Sequence, residues 1–173
     1  MYLMYLDQFL NYLKNERNFS TKTIRSYVTD INQFFSFFNE DVSLVQSIHL
    51  REWIVSLKDA GLESVSINRK ISSIRSYFKL SKREGWVSKD PSQKIKLLST
   101  KKRLPSFLSE SVMKDLFSKI KFTNDFIGIR DRFILEMFYQ TGIRVSELVN
   151  LELHQFDVSN KTLIVFGKGR KER

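Results

Sequence analysis

In Phe138-Tyr139-Gln140-Thr141-Gly142-Ile143-Arg144-Val145-Ser146-Glu147-Leu148, one arginine stands just past a glycine, between two β-branched apolar residues. A guanidinium so placed needs an anion. Glu147, three residues on and one helical turn away, is the local partner; a phosphate is the other reading. Further along, Gly167-Lys168-Gly169-Arg170-Lys171 sets a lysine between glycines, a composition that suits a hairpin tip. Taken alone, that lysine reads as an ordinary turn residue.

A third feature is charge. Residues 66–103 hold twelve basic side chains against two acids, Glu84 and Asp90, so this stretch alone accounts for the net charge of +10. The remainder is balanced, and a basic band of this kind fits a polyanion such as nucleic acid. On a helical wheel Ile67, Ile71, Ile74 and Phe78 share one sector, with Asn68, Ser72, Arg75 and Lys79 beside it. Hydroxyl, amide and cationic groups so interleaved can donate to backbone phosphates, and a solvated helix face is the plainer reading. Ser20-Thr21-Lys22-Thr23 with Arg25 could offer amides, hydroxyls and cations to a phosphate; helix capping explains the Ser and Thr equally well.

The elements that must position these groups follow from periodicity. Leu3, Leu6, Leu10 and Leu13 line one side of a first helix, broken by residues 15–20. Ser20 and Thr21 offer caps to a second, whose apolar face is Ile24, Tyr27, Val28, Ile31, Phe34, Phe35 and Phe38. A third spans Ile48 to Ala60 and stops at Gly61; a fourth, capped by Ser64, runs to Gly85. Short loops between them predict a bundle. From Ser88 to Ser106, two prolines, several serines and a basic run predict an exposed, partly extended connection and a domain boundary. Beyond it, Ser109 caps a helix through Ile120, Asp125 to Gln140 forms a longer one ended by Gly142, and Ile143 to Leu151 adds a turn or two. Asn160 and Lys161 turn the chain into a strand, Thr162 to Phe166, with no returning strand before Arg173. Apolar residues of the Asp125 to Gln140 helix are expected to lack cover, with disorder or partner chains near Arg173.

The pair of motifs, Thr141 to Leu148 followed by Gly167-Lys168-Gly169-Arg170-Lys171-Glu172-Arg173, resembles the tyrosine site-specific recombinases, in particular Xer-type bacterial enzymes and phage integrases. The likeness extends over nearly the whole chain and implies a mainly α fold in two parts. An N-terminal four-helix, SAM-like core-binding bundle occupies residues 1–98, a basic linker 99–104, and the truncated start of an α+β catalytic domain 105–173. By that resemblance Arg144 is the first catalytic arginine, gripping nonbridging oxygens of the scissile phosphate, and Glu147 is its structural support. Lys168 donates a proton to the departing 5′ oxygen. Thr21, Lys22, Arg69, Arg75 and Lys79 become the candidate contacts to the DNA backbone. The family's second arginine, in a His-x-x-Arg motif, and its nucleophilic tyrosine fall beyond Arg173, so the chain alone is expected to bind double-stranded DNA without cutting it. His154, followed by Gln155-Phe156-Asp157, does not supply that motif. The full-length parent is expected to work as a homo- or hetero-tetramer in the cytoplasm, without metal or nucleotide cofactor.

Composition narrows the field further. The chain has 173 residues, 42% apolar and 28% charged, which excludes a disordered tail. No cysteine is present, so disulfides, thiolate nucleophiles and cysteine-ligated zinc are excluded, and His49 and His154 cannot make a metal cage alone. No run of about eighteen apolar residues or secretory leader occurs. Two rivals stand beside the recombinase reading: a noncatalytic DNA-binding regulator derived from a recombinase, and a scaffold that docks partners on Phe34, Phe35, Phe37 and Phe38. Those four phenylalanines are read as core.

Overall fold

Apolar residues at intervals of three and four give the first unit, Met1–Leu104, its helices: α1 (Tyr2–Asn11), α2 (Thr21–Phe38), α3 (Ser47–Asp59) and α4 (Ser64–Arg83). The structure is a computed structural model and describes residues 2–100, 107–167 and 172. α1 does not stop where its leucine pattern fades but passes into a π-helical turn, Tyr12–Glu16, which buries Leu13. Ser20 caps α2 as expected, its Oγ accepting the Thr23 N–H at 3.3 Å. Ser64 does not cap α4. Glu63 has the extended backbone of the cap position, Ser64 is already helical, and no side-chain cap bond forms.

The bundle packs around aromatic rings. Phe34 of α2 meets Trp53 of α3 edge-on at 5.3 Å and Phe78 of α4 at 6.2 Å, while Tyr77 of α4 meets Phe9 of α1 at 5.3 Å and Phe35 at 5.6 Å. Such edge-to-face pairs add about 0.5–1.5 kcal/mol each to the burial of the rings. Phe34 and Phe35 are enclosed and Phe38 is half-buried, as expected of core residues; Phe37, expected in the core with them, is instead exposed, because it falls one residue off the apolar stripe.

The chain after α4 departs from the expectation of an exposed connection. Val87, Ser92 and Ile95 are buried, and Ile95 lies over Trp53, Ile71 and Ile74. Ser47 Oγ donates to the Pro91 carbonyl at 2.7 Å. The Asn68 side chain both donates to the Leu98 carbonyl (2.9 Å) and accepts the Leu98 N–H (2.8 Å), and Arg75 donates to the Ile95 carbonyl. Apolar residues between the lysines give this segment a reason to lie on the bundle, and side chains of α4 satisfy its backbone.

The second unit, Pro105–Arg173, contains α5 (Glu110–Lys119), α6 (Phe126–Thr141), a short α7 (Val145–Val149) and two short strands, β1 (Phe156–Asp157) and β2 (Thr162–Leu163). β1 and β2 pair antiparallel, Phe156 opposite Leu163, and the Asp157 carboxylate closes their turn by accepting from the Asn160 N–H (3.0 Å) and side-chain amide (2.7 Å). The strand expected over residues 162–166 is interrupted. Ile164 bonds the Gln155 backbone, and Val165 turns into the interior. Although no returning strand was expected, an isolated antiparallel bridge joins Phe166 to Glu172.

α6 starts at Asp125, which accepts the Gly128 N–H at 2.8 Å, and Gly128 lets the Thr123 backbone approach so closely that a Cβ would sit 2.0 Å from its carbonyl oxygen. Gly128 is the one buried residue of that helix; Phe126, Ile127, Ile129 and Phe133 are exposed.

Candidate phosphate-binding site

Arg144 is placed by the way α6 ends. Gly142 takes a left-handed conformation (φ 62°, ψ 25°) and its N–H closes the helix on the Phe138 carbonyl at 3.0 Å. Buried Ile143 then anchors the chain, and Thr141 Oγ1 accepts its N–H at 3.2 Å. Arg144 follows with extended backbone in the cap position of α7. Glu147, whose side chain is only 5% exposed, accepts the Arg144 backbone N–H (2.9 Å) with one oxygen and a guanidinium N–H (2.7 Å) with the other. One carboxylate thus fixes both ends of the arginine.

The local ion pair with Glu147 forms and leaves part of the guanidinium unused. The Arg144 side chain remains 62% exposed and lines a cleft of about 570 Å³ with Glu147, Asn150, His154, Val165 and Gly167. A guanidinium has five N–H donors, so donors remain for a ligand in the cleft after Glu147 has taken its share. Lys168 lies outside the described residues; Gly167, its neighbour in sequence, borders the cleft that Arg144 lines. His154 enters the cleft with Glu152 beside its Nδ1 at 3.2 Å, a wall residue that its sequence context gave no reason to select.

In the first unit Thr21 and Lys22 are exposed on the opening turn of α2, and Lys79 is exposed on α4. Arg69 is tied differently. Its two terminal nitrogens hold the carboxylate of Asp30 at 2.5 and 2.8 Å, while Lys70 (2.9 Å) and Ser73 (2.7 Å) donate to the same group. Asp30 is fully enclosed, yet the Arg69 side chain is half-exposed. Arg75 is half-buried, and the amide of Asn68 is engaged at both its nitrogen and its oxygen by the Leu98 backbone. Sequence reasoning missed Asp30. The available signal was an acid on the apolar stripe of α2, between Tyr27 and Phe34, facing a helix whose own stripe is interrupted by Lys70. Among the described residues, no group of three His, Asp or Glu side chains could hold a metal ion, and no helix is long and apolar enough to cross a membrane.

A bundle carrying a basic, partly apolar strap, followed by a buried-carboxylate-supported arginine at a cleft, defines a known class. The chain belongs to the phage integrase family of tyrosine recombinases: the phage integrase N-terminal SAM-like domain matches residues 6–85, and the phage integrase family domain matches residues 106–173. Its fold is mainly α, a SAM-like bundle followed by the start of the recombinase catalytic domain.

Among its relatives, the tyrosine recombinase XerC of Listeria welshimeri is 37% identical over 170 residues, covering 96% of this chain and 57% of the relative. That of Oceanobacillus iheyensis is 38% identical over 174 residues, covering 98% and 57%. This chain thus spans little more than half the length of these relatives. Of solved structures, a lambda integrase tetramer bound to a Holliday junction superposes with a TM-score of 0.74 at 17% identity, over 98% of this chain and 48% of that one. A Tn1549 transposon integrase in complex with circular intermediate DNA gives 0.69 at 17%, over 96% and 57%. At these identities the likeness establishes the fold.

Proposed function

We propose that residues 1–173 are the DNA-gripping front part of a cytoplasmic site-specific recombinase that cuts and rejoins duplex DNA through a 3′-phosphotyrosine link. Residues 1–98 form the core-binding domain, 99–104 the linker, and 105–173 the start of the catalytic domain. The observation that carries the reading is Arg144 clamped at both ends by Glu147 with its remaining donors open to the cleft. Placed against a scissile phosphate, those donors stabilise the charge that builds on the nonbridging oxygens as a tyrosine oxygen attacks phosphorus. As the P–O bond to the 5′ carbon's oxygen breaks, Lys168 gives that oxygen a proton, so it leaves as a hydroxyl rather than an alkoxide. The tyrosine and the second arginine belong, on this reading, to residues outside 1–173, and assembly is a homo- or hetero-tetramer on two duplexes.

The bundle's share of the work is to hold the backbone. Thr21, Lys22 and Lys79 are exposed, and Arg69 and Arg75 keep N–H groups beyond those used on Asp30 and Ile95. Binding of the 173-residue chain to duplex DNA is expected to fall steeply as salt rises, with a slope near −0.9 for each phosphate neutralised. A flat salt dependence would exclude the DNA reading. In the full-length enzyme, Arg144→Ala is expected to lower strand cleavage by about 10²–10³-fold while leaving duplex affinity nearly unchanged, read from a cleavage assay beside a binding titration. Equal losses of both would remove Arg144 from the chemistry.

A further inference from the structure

The strap that follows α4 runs antiparallel to that helix. Leu98 lies at Asn68 and Ile95 at Arg75. The three residues from Ile95 to Leu98 thus run back along the two helical turns from Arg75 to Asn68. The Ile95 side chain is buried, while Lys94 and Lys96 on either side of it are exposed and have no carboxylate partner among the described residues. Asn68 makes two bonds to one backbone unit, which fixes the strap's register along α4 and its distance from it.

We infer that Asn68, together with Arg75, is a positioning residue that holds the strap so that Lys94 and Lys96 are presented as preset contacts to DNA phosphates. The inference rests on the DNA-binding reading above. Its physical gain is pre-organisation. A lysine on a free linker must be ordered when it binds, whereas one on a clipped strap starts near its bound position and loses less backbone entropy. The amide of Asn68, which its wheel position alone would send to a phosphate, therefore acts through the lysines and not on the DNA. Burial of Ile95 and the packing of the Leu98 side chain against the core explain why the strap covers the bundle. Neither apolar contact sets the register of the backbone at Leu98, which the two directional bonds from Asn68 do, securing the stretch that contains Lys96.

The test is a cycle in the 173-residue chain: wild type, Asn68→Ala, Lys94→Gln with Lys96→Gln, and all three changes together, each titrated with duplex DNA across a salt series. The double lysine variant is expected to lose about two phosphate contacts, so that its affinity drop between about 50 and 200 mM salt is about tenfold smaller than the wild type's. Asn68→Ala is expected to weaken binding several-fold and to lose exchange protection of the Leu98 amide. In its background the lysine changes should then cost clearly less than in the wild type. An unchanged salt slope in the lysine variant, effects that multiply in full, or a Leu98 amide equally protected without Asn68 would each overturn the inference alone. Absence of duplex binding by the wild type would overturn the DNA reading and this inference with it, while Leu98 protection would still report whether the clip exists.

Discussion

Phe34 in the first unit is ringed by Phe35, Phe38, Trp53 and Phe78, whereas Phe126 in the second leaves 78% of its surface to solvent. The contrast holds along whole elements. α4 buries residues on every turn; α5 buries none and α6 only Gly128. What shapes the arginine site in the second unit is therefore a chain of local bonds more than a core: the Asp125 cap, the left-handed Gly142, the Glu147 clamp and the Asp157 turn. One arginine can be set locally because its positioning needs only one helix end and one carboxylate. A bundle must instead hold four helices against each other, and that takes buried rings.

The sharpest way to break this contrast is to strike the buried carboxylate of the bundle. Asp30 is surrounded by Arg69, Lys70 and Ser73, and Lys70 is itself buried, donating also to Gln33. Asp30→Ala leaves the Lys70 ammonium buried with no counter-charge, a loss of about 3–5 kcal/mol. Both tryptophans, Trp53 and Trp86, lie in the first unit, so their fluorescence in a urea titration follows that unit alone. The midpoint is expected to fall sharply, while exchange protection of the Gly128 amide in the second unit stays at its wild-type level. Loss of both together would show that the units share their stability and that the contrast is one of appearance.

Asp30 also marks where sequence reading ends. The helices, the Gly142 stop and the Arg144–Glu147 pairing were legible because each rests on contacts within four residues: periodicity, a cap or a single turn. The Asp30 cluster joins residues about forty positions apart, and the Asn68 clip on Leu98 thirty. A helical wheel reports which face a side chain occupies, not what the chain later lays across it, so Asn68 and Arg75 read as free donors when the strap had already engaged them. The strap itself read as linker because lysines and serines dominate its composition, although Ile95 and Leu98 among them join the core of the bundle. In the second unit the strand ending at Phe166 was overread: a β-branched run states propensity, and the bond from Ile164 to Gln155 decides where pairing stops.

Gly142→Ala probes the local side of the contrast. At φ 62° a Cβ meets its own backbone, at a cost of about 1–2 kcal/mol, even though nothing else lies within 4 Å of it. Because the open space removes any packing effect, the cost falls on the turn that aims Arg144. The expected result is a small loss of stability in the second unit, with a larger loss of cleavage than of duplex binding in the full-length enzyme. An equal fall in both would place the rigidity of that turn outside the chemistry.

The smallest effect is the most specific to the second unit. Hydrogen bonds from the Thr123 hydroxyl and then the Gly128 N–H hold the Asp125 carboxyl below the usual aspartate range, and those from Asn160 do the same for Asp157. A carboxyl whose pKa is lower folded than unfolded adds stability that is fully present above the ordinary aspartate value and is lost as pH falls through the lowered one. Acidification should therefore loosen the α6 start and the β1–β2 turn in that window. Asp125→Asn separates this from general acid unfolding: its amide oxygen can still accept the Gly128 N–H, but it takes up no proton. Gly128 protection, corrected for the intrinsic exchange rate, is expected to decline in the wild type below the ordinary aspartate range and to hold in the variant. Parallel decline in both proteins would mean that the cap is not what acid removes, and that the α6 end of the second unit depends on something other than its local bonds.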